Sequence, residues 1–402
     1  MPEGAARDER LGGIILNGRA LTLATAFACL TVNASEGPVT REGAYWVQTQ
    51  RGKLASPPGS VLKVIMRGPV TVRGGARASE YVLRTRVRAR SEAEARRLFS
   101  QLHLKTSTQK EVSTLTLSYP ARPLGSAELE VLTTSSASAW VETYNGDVQI
   151  CDLDMNVYVK TGAGSIQLDR IGGEVVARTA GGEVRMGSIG GSVRCFSGGG
   201  TIEVEKTGGE SWFETAGGNI HLAEAAGAVH ASTAGGNIRI GRARGSVVAS
   251  SAGGRIEVRE AGGAVMAGNS GGSIQVGPAQ GVRLEATGGS IRLRGSSGAL
   301  RAVSDVGSIL AELIPGVRLQ DSTLSTGAGD ITVFIPSNTA LTIKALNDSN
   351  QLGRIISDFP EILVRQLQEE SRMRAEGTLN GGGPLLQLTS TGGTIYLRRL
   401  PR

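Results

Sequence analysis

The chain is poor in wide side chains and in reactive ones. Phe, Trp and Tyr together make up 4% of its 402 residues, and it contains only three His and three Cys. So few rings cannot fill a thick core, which leaves Ile, Val, Leu and Ala to fill a thin one, as a layered β fold requires. Three His without any paired Cys/His spacing provide no zinc-type ligand set. No apolar run reaches the roughly 20 residues that span a bilayer. Glycine is the opposite case. Its 58 copies amount to about one residue in seven, twice ordinary usage, yet no Gly-X-Y triplet recurs, so collagen is excluded and a turn-dense β architecture is favoured. Charged residues at 20% and hydrophobics at 40% are ordinary for a folded chain, which excludes general disorder. The net charge of +7 and the sequence pI near 9.6 permit contact with anionic polymers or surfaces.

Residues 1–34 carry Arg7, Arg10 and Arg19, then the apolar run 20–32, then Val32-Asn33-Ala34 ahead of Ser35. Basic, apolar and small-residue segments in that order form a secretory signal peptide, which places the mature start at Ser35 and the protein in the bacterial envelope or outside it. A buried helix is the other reading of the same short run. Ala26-Phe27-Ala28-Cys29 faintly resembles a lipoprotein box but lacks its usual Leu at the first position.

Internal repetition decides the architecture. Gly-Gly pairs or single corner glycines recur every nine residues from Gly172-Gly173 to Gly271-Gly272. The segments between them alternate apolar and polar residues with the period of a strand buried on one face. Two classes of strand alternate, so the true repeat is 18. The first starts at Val148, Ile166, Val184, Ile202, Ile220, Ile238, Ile256, Ile274, Ile291 and Ile309, with one step of 17. Its second inward residue is usually large, as in Leu168, Met186 and Ile240. The second class starts at Val157, Val175, Val193, Ser211, Val229, Val247, Val265, Val282 and Leu300, and its second inward residue is usually small, as in Ala177, Cys195 and Ala249. Nine-residue units are too short for crossover helices. They fit the two sides of a flattened coil, an all-β two-sheet parallel solenoid of about 18 residues per turn, in which large inward residues oppose small ones. Paired glycines are expected at the corners, for positive φ and for close approach to the adjacent turn.

The division expected is a signal peptide at 1–34, a β-rich region with one short helix at 35–125, solenoid repeats at 126–333 and a C-terminal capping region at 334–402. The helix is expected at 91–102, where Ser91 and Glu94 form a capping box ahead of Leu98, Phe99 and Leu102. Residues 360–374 are ambiguous between helix and strand, and a last repeat copy appears at 392–397. Non-repetitive flanks would cap the exposed sheet edges.

These features together resemble a bacterial β-strand-repeat family of unknown function for which an adhesin role has been inferred from architecture. The residues that carry the resemblance are Gly68-Pro69-Val70-Thr71-Val72-Arg73-Gly74, the helix at 91–102, and the Thr-Ala-Gly-Gly turns at Thr179, Thr215 and Thr233. Two further segments join them, 329–336 and 377–384, followed by Gly392-Gly393-Thr394-Ile395-Tyr396. The resemblance implies the fold and supplies no catalytic motif.

Little of the sequence points to chemistry. Of His103, His221 and His230, the last two alternate with inward residues and face out on opposite sheets, so those two cannot share a metal. Asp147, Asp152, Asp154 and Asp169 form the one acidic group; they read as solvated turn acids, with a divalent-cation site or a glycosidase pair as alternatives, although the group has no calcium-loop spacing. Every glycine run is followed by a strand rather than a helix, which removes the dinucleotide and P-loop readings. No cofactor and no specific nucleic-acid contact is expected. Cys151 and Cys195 lie about 2.5 turns apart, roughly 12 Å along the axis, beyond the ~7 Å that a disulfide allows, so both should be free thiols. Arg84, Arg86, Arg88 and Arg90 alternate along one segment, with about 6.6 Å between neighbours if it is a single strand. That stripe is either a solvated outer face or edge, or a docking surface for an anionic envelope polymer such as acidic polysaccharide or lipid headgroups. The function expected is therefore a secreted or envelope-associated, non-catalytic solenoid that adheres, binds or scaffolds. The alternatives are a polysaccharide-active enzyme using the aspartates and a self-assembling filament.

Overall fold

A computed structural model describes residues 35–55, 57–119, 125–349, 354–366 and 372–401. The leader, Cys29 and the cleavage junction lie outside the described residues. Two sheets of 19 and 18 strands face one another, and the chain coils between them for about 11 turns of roughly 18 residues. At ~4.8 Å per turn the regular coil is about 50 Å long.

The register follows the inward apolar columns. Val148 pairs with Ile166, Ile166 with Val184, and so on through Ile202, Ile220, Ile238, Ile256, Ile274, Ile291, Ile309 and Ile331, all parallel. The second sheet stacks Val157, Val175, Val193, Ser211, Val229, Val247 and Val265 in the same way. A slip of one residue would turn every apolar side chain outward, so the buried columns hold the register. Most strands of the regular coil also have a third inward position. In the first sheet it follows a two-residue outward bend and is filled by Leu153, Ile171, Ile189, Thr207, Ala225, Ala243 and Ala261, apolar in all but Thr207. In the second sheet it is a buried hydroxyl: Thr143, Thr161, Thr179, Ser197, Thr215, Thr233 and Ser251.

Those hydroxyls build the corner. Thr179 Oγ1 donates to the carbonyl of Gly164 on the preceding turn (3.0 Å) and accepts from the N–H of Gly182 on its own turn (3.0 Å). Ser197 repeats this with Gly182 and Gly200, Thr215 with Gly200 and Gly218, Thr233 with Gly218 and Gly236, and Ser251 with Gly236 and Gly254. The same carbonyl leaves no room for a side chain. A Cβ on Gly182 would lie 2.0 Å from Gly164 O, and one on Gly218 would lie 2.1 Å from Gly200 O. The positive φ expected at the paired glycines is not found at any of those from Gly172 to Gly272. They are required by the closeness of the adjacent turn, and the left-handed region is used elsewhere, at Gly281, Gly295 and Gly298. These last flank the irregular turn of 17 residues. There the register shifts between Gln280 and Val282, and Ala286 replaces the hydroxyl.

The ladders extend beyond 126–333. Val61–Met66 lies between Val112–Ser118 and Ser138–Thr143, parallel to both, and Val70–Arg73 lies between Gly125–Leu132 and Val148–Leu153. The chain therefore lays down one turn, continues outward to the end of the rod, and crosses back to begin the regular repeat. The other end mirrors this: Leu385–Ser390 inserts between Ser322–Ala328 and Leu341–Asn347, and Ile395–Arg399 between Ile331–Ile335 and Ile355–Ser357. Antiparallel strands then cover the ends, Tyr45–Leu54 and Ser79–Val87 on one sheet, His103–Gln109 on the other, and Met373–Leu379 with Leu363–Gln366 at the far end. The described part of the ambiguous 360–374 segment is thus strand. The helix is Glu92–Phe99, with Ser91 Oγ accepting from the Glu94 N–H. Its Ala95 and Phe99 pack on Val87.

One turn departs from the large-against-small rule in a compensated way. Phe213 is fully buried where its neighbours have Cys195 and Ala231, and Ser211 stands where they have Val193 and Val229. Volume added at one inward position is removed at the next. Phe213→Ala should cost about 3–5 kcal/mol. Adding Ser211→Val, which restores the usual Val/Ala pair, should recover a large share, read from urea midpoints. A double variant no more stable than the single one would contradict the compensation.

Candidate ligand-binding face

The two outer faces of the coil are built from the same backbone but carry different chemistry. On the first sheet the outward column runs Gln167, Arg185, Glu203, His221, Arg239, Glu257, Gln275, Arg292. Its charges pair between turns, Arg185 with Glu203 (3.3 Å), Arg239 with Glu257 (3.0 Å) and beside them Arg242 with Glu260 (3.0 Å), while Arg259 pairs with Glu257 along the same strand (3.2 Å). This is the salt-bridged, solvated face that alternating signs at 18-residue spacing imply. The Arg239 and Arg259 guanidiniums hold the Glu257 carboxyl below its usual range against the opposing effect of its partial burial, the largest single influence on it.

On the second sheet the corresponding column runs Trp140, Tyr158, Val176, Arg194, Trp212, His230, Val248, Met266. Trp140 stacks on Tyr158 at 4.1 Å between centroids, with Lys63 at 5.3 Å over the Trp140 ring. Trp212 stacks on His230 at 3.8 Å and 5° between planes, and His230 Nε2 lies 3.3 Å from Glu210 Oε1. Trp212, Phe196, Met266 and Val248 are all exposed. A shallow trough of about 800 Å³ runs across Arg178, Arg194, Phe196, Trp212, Glu214 and His230. Reasoning from the low aromatic content missed this face. The signal was available in the outward residue of each second-class strand, where two of the three Trp recur in one 18-residue register.

The acidic group serves local architecture. Asp147 Oδ1 accepts from the N–H and hydroxyl of Ser165 one turn on (2.7 and 2.8 Å). Arg170 bonds both Asp152 (2.6 Å) and Asp169, which brings those two acids to one guanidinium. The Arg170 hydrogen bond holds the Asp152 carboxyl below the usual carboxylate range, the reverse of the raised value that a glycosidic general acid needs. Asp154 joins neither arrangement; its N–H donates to Ser135 O (2.7 Å).

The arginine stripe is shorter than the alternation suggested. The strand ends at Val87, because the chain turns there to enter the helix capped by Ser91. Arg84 and Arg86 are on the strand's outer face, while Arg88 and Arg90 lie beyond its end. The strand is also interior to its sheet, paired on both sides, so the solvated-edge alternative fails. Arg84 is bound to Glu42 (2.6 Å), and Arg88 donates to Tyr45 Oη (2.8 Å) with its guanidinium 4.9 Å over the ring. Arg86 and Arg90 have no ion pair among the described residues.

No protein-family model matches the chain, and no curated protein matches it either. Among solved structures, a candidate cell adhesion protein from Clostridium sporogenes matches at 9% identity and a TM-score of 0.19, over 88% of this chain and 100% of its own. A candidate adhesin from Bacteroides fragilis matches at 12% identity and a TM-score of 0.21, over 88% and 97%. Superpositions this loose add nothing to what the residues show.

Cys151 and Cys195 are both free. Burial raises the Cys195 thiol well above its ordinary value; burial and, after it, the hydrogen bond with Asp152 raise that of Cys151. At neutral pH the folded protein should therefore take up a thiol reagent slowly at Cys151 and not at Cys195, whereas denaturation without reductant should expose both to reaction. Failure of either to react in denaturant without reductant would show a disulfide and contradict the register.

Proposed function

We propose that the protein is a non-catalytic binding solenoid of the bacterial envelope or its exterior, and that it docks its ligand on the outer face of the second sheet. One observation supports this reading most: on the same rigid coil, one face pairs most of its central arginines with glutamates, while the other leaves aromatic rings exposed beside Arg178 and Arg194, unpaired among the described residues. An exposed aromatic surface rimmed by polar groups is the usual mark of an interaction site. The basic, apolar and small-residue order of residues 1–34, read as a secretory leader, supports export. Neither alternative gains support: Asp152 and Asp169 are committed to Arg170 and Asp147 to Ser165, and the antiparallel strands at both ends of the rod disfavour end-to-end stacking into a filament. Arg86 and Arg90 remain open to an anionic polymer near the N-terminal end and would add a weak, salt-sensitive contact.

Retention of the purified protein on an isolated cell-wall fraction tests the assignment. Trp212→Ala with Phe196→Ala should abolish retention, and Arg239→Gln with Arg242→Gln on the opposite face should leave it unchanged. Loss with the second pair and not with the first would reassign the docking face.

A further inference from the structure

We infer that the trough on the second sheet takes an acidic polysaccharide, with sugar rings against Trp212 and Phe196 and carboxylates on Arg178 and Arg194. The inference rests on the docking face proposed above and names its ligand.

Three features converge. The first is the indole. His230 on the next turn covers one face of Trp212, which leaves the other face toward the turn that carries Arg194 and Phe196. Trp212 is 48% exposed and Phe196 42%, so two rings on adjacent turns border one opening. Pyranose rings present an apolar C–H surface, and aromatic faces are the natural complement to it. The stack on His230 holds the indole in place before any ligand arrives, which reduces the ordering cost of binding.

The second is charge. Arg178 and Arg194 have no ion pair among the described residues, in contrast to Arg185, Arg239, Arg242 and Arg259 on the opposite face. A planar guanidinium left free beside aromatic rings suits a carboxylate bidentately. Glu214, one turn on from Phe196, is the negative group of the trough. It would repel the same carboxylate, so the ligand's anionic groups are confined to the Arg178 and Arg194 side.

The third is shape. The trough is open, runs across several turns, and continues past Ser232 and Ser250, whose hydroxyls suit sugar hydroxyls. A second copy of the chain would need roughly 1,200–2,000 Å² of buried surface for a stable interface, whereas the apolar groups here are interrupted by Arg194, Glu214 and His230. A nucleic acid, with a phosphate at every nucleotide, would have to run past Glu214 as well as the two arginines, whereas a polysaccharide needs its carboxylates only on the arginine side.

The test is titration with polygalacturonate oligosaccharides, followed by calorimetry and tryptophan fluorescence. A neutral glucan of equal length and dextran sulfate serve as comparisons. The uronate oligosaccharide should bind and the neutral glucan should bind at least about tenfold more weakly. Trp212→Ala should weaken uronate binding about tenfold, as should Arg178→Gln with Arg194→Gln. The variants' urea midpoints show whether the fold is intact. Absence of uronate binding, or binding unchanged in those variants, overturns the inference. So does equal binding of dextran sulfate that vanishes in high salt and ignores Trp212→Ala, since that is diffuse charge. A concentration-dependent dimer abolished by Trp212→Ala would make a second copy the occupant and overturns it as well. If wall retention still depends on Trp212 and Phe196 while uronate does not bind, the ligand class fails and the docking face stands; if retention is indifferent to both faces, the functional reading itself fails.

Discussion

A single carbonyl at one corner of each turn sets the geometry of the rod. It accepts the hydroxyl of a Thr or Ser from the following turn, and it lies so close to the glycine below which that hydroxyl bonds that no Cβ could stand there. Buried polar groups are costly unless paired, and here the third inward position of each second-sheet strand from Val157–Thr161 to Val247–Ser251 is a hydroxyl paired twice. An apolar residue would fill the space without tying one turn to the next. The hydroxyl makes the corner a continuous relay, and each turn inherits the position of the one before it. The closeness that permits those bonds is also why glycine recurs at the corner.

Because the corner holds the turns in strict register, equivalent residues on successive turns become spatial neighbours about 4.8 Å apart. An 18-residue spacing in the chain thus becomes a column on the surface. One column closes on itself through ion pairs, and the other presents Trp212, His230 and their neighbours. The out-of-order turns at both ends, with their antiparallel covers, interrupt the parallel ladder that another molecule would have to extend. What remains exposed for contact is the sides of the rod, and only one of them presents exposed aromatic rings beside arginines unpaired among the described residues.

The repeat and its register were legible in the sequence, since Val148, Ile166, Val184 and their successors could stack in only one way that buries them all. The hydroxyl column was visible as the Thr-Ala-Gly-Gly turns at Thr179, Thr215 and Thr233, but a period-two reading stops at two inward residues and takes Thr for a turn residue. Glycine at these corners was foreseen for two reasons, of which close approach holds and positive φ does not. The turn at 61–73 is followed by Gly74-Gly75 but has no such pair before it or between its two strands, and its place between later segments depends on long-range pairing that no local pattern encodes. The stripe from Arg84 to Arg90 alternates perfectly, yet the helix beginning at Glu92 forces the strand to end at Val87.

Two adjacent glycines separate the corner account from a general need for flexibility. Gly217 has nothing within 4 Å of where a Cβ would be and no positive φ, whereas a Cβ on Gly218 would meet the Gly200 carbonyl at 2.1 Å. Urea unfolding of the two alanine variants is the most direct measurement. Gly217→Ala should be neutral or more stable by up to about 1 kcal/mol, through the lost freedom of the unfolded chain. Gly218→Ala should lose about 3 kcal/mol or more, as overpacking against an immovable backbone. Equal effects at the two positions would contradict the account.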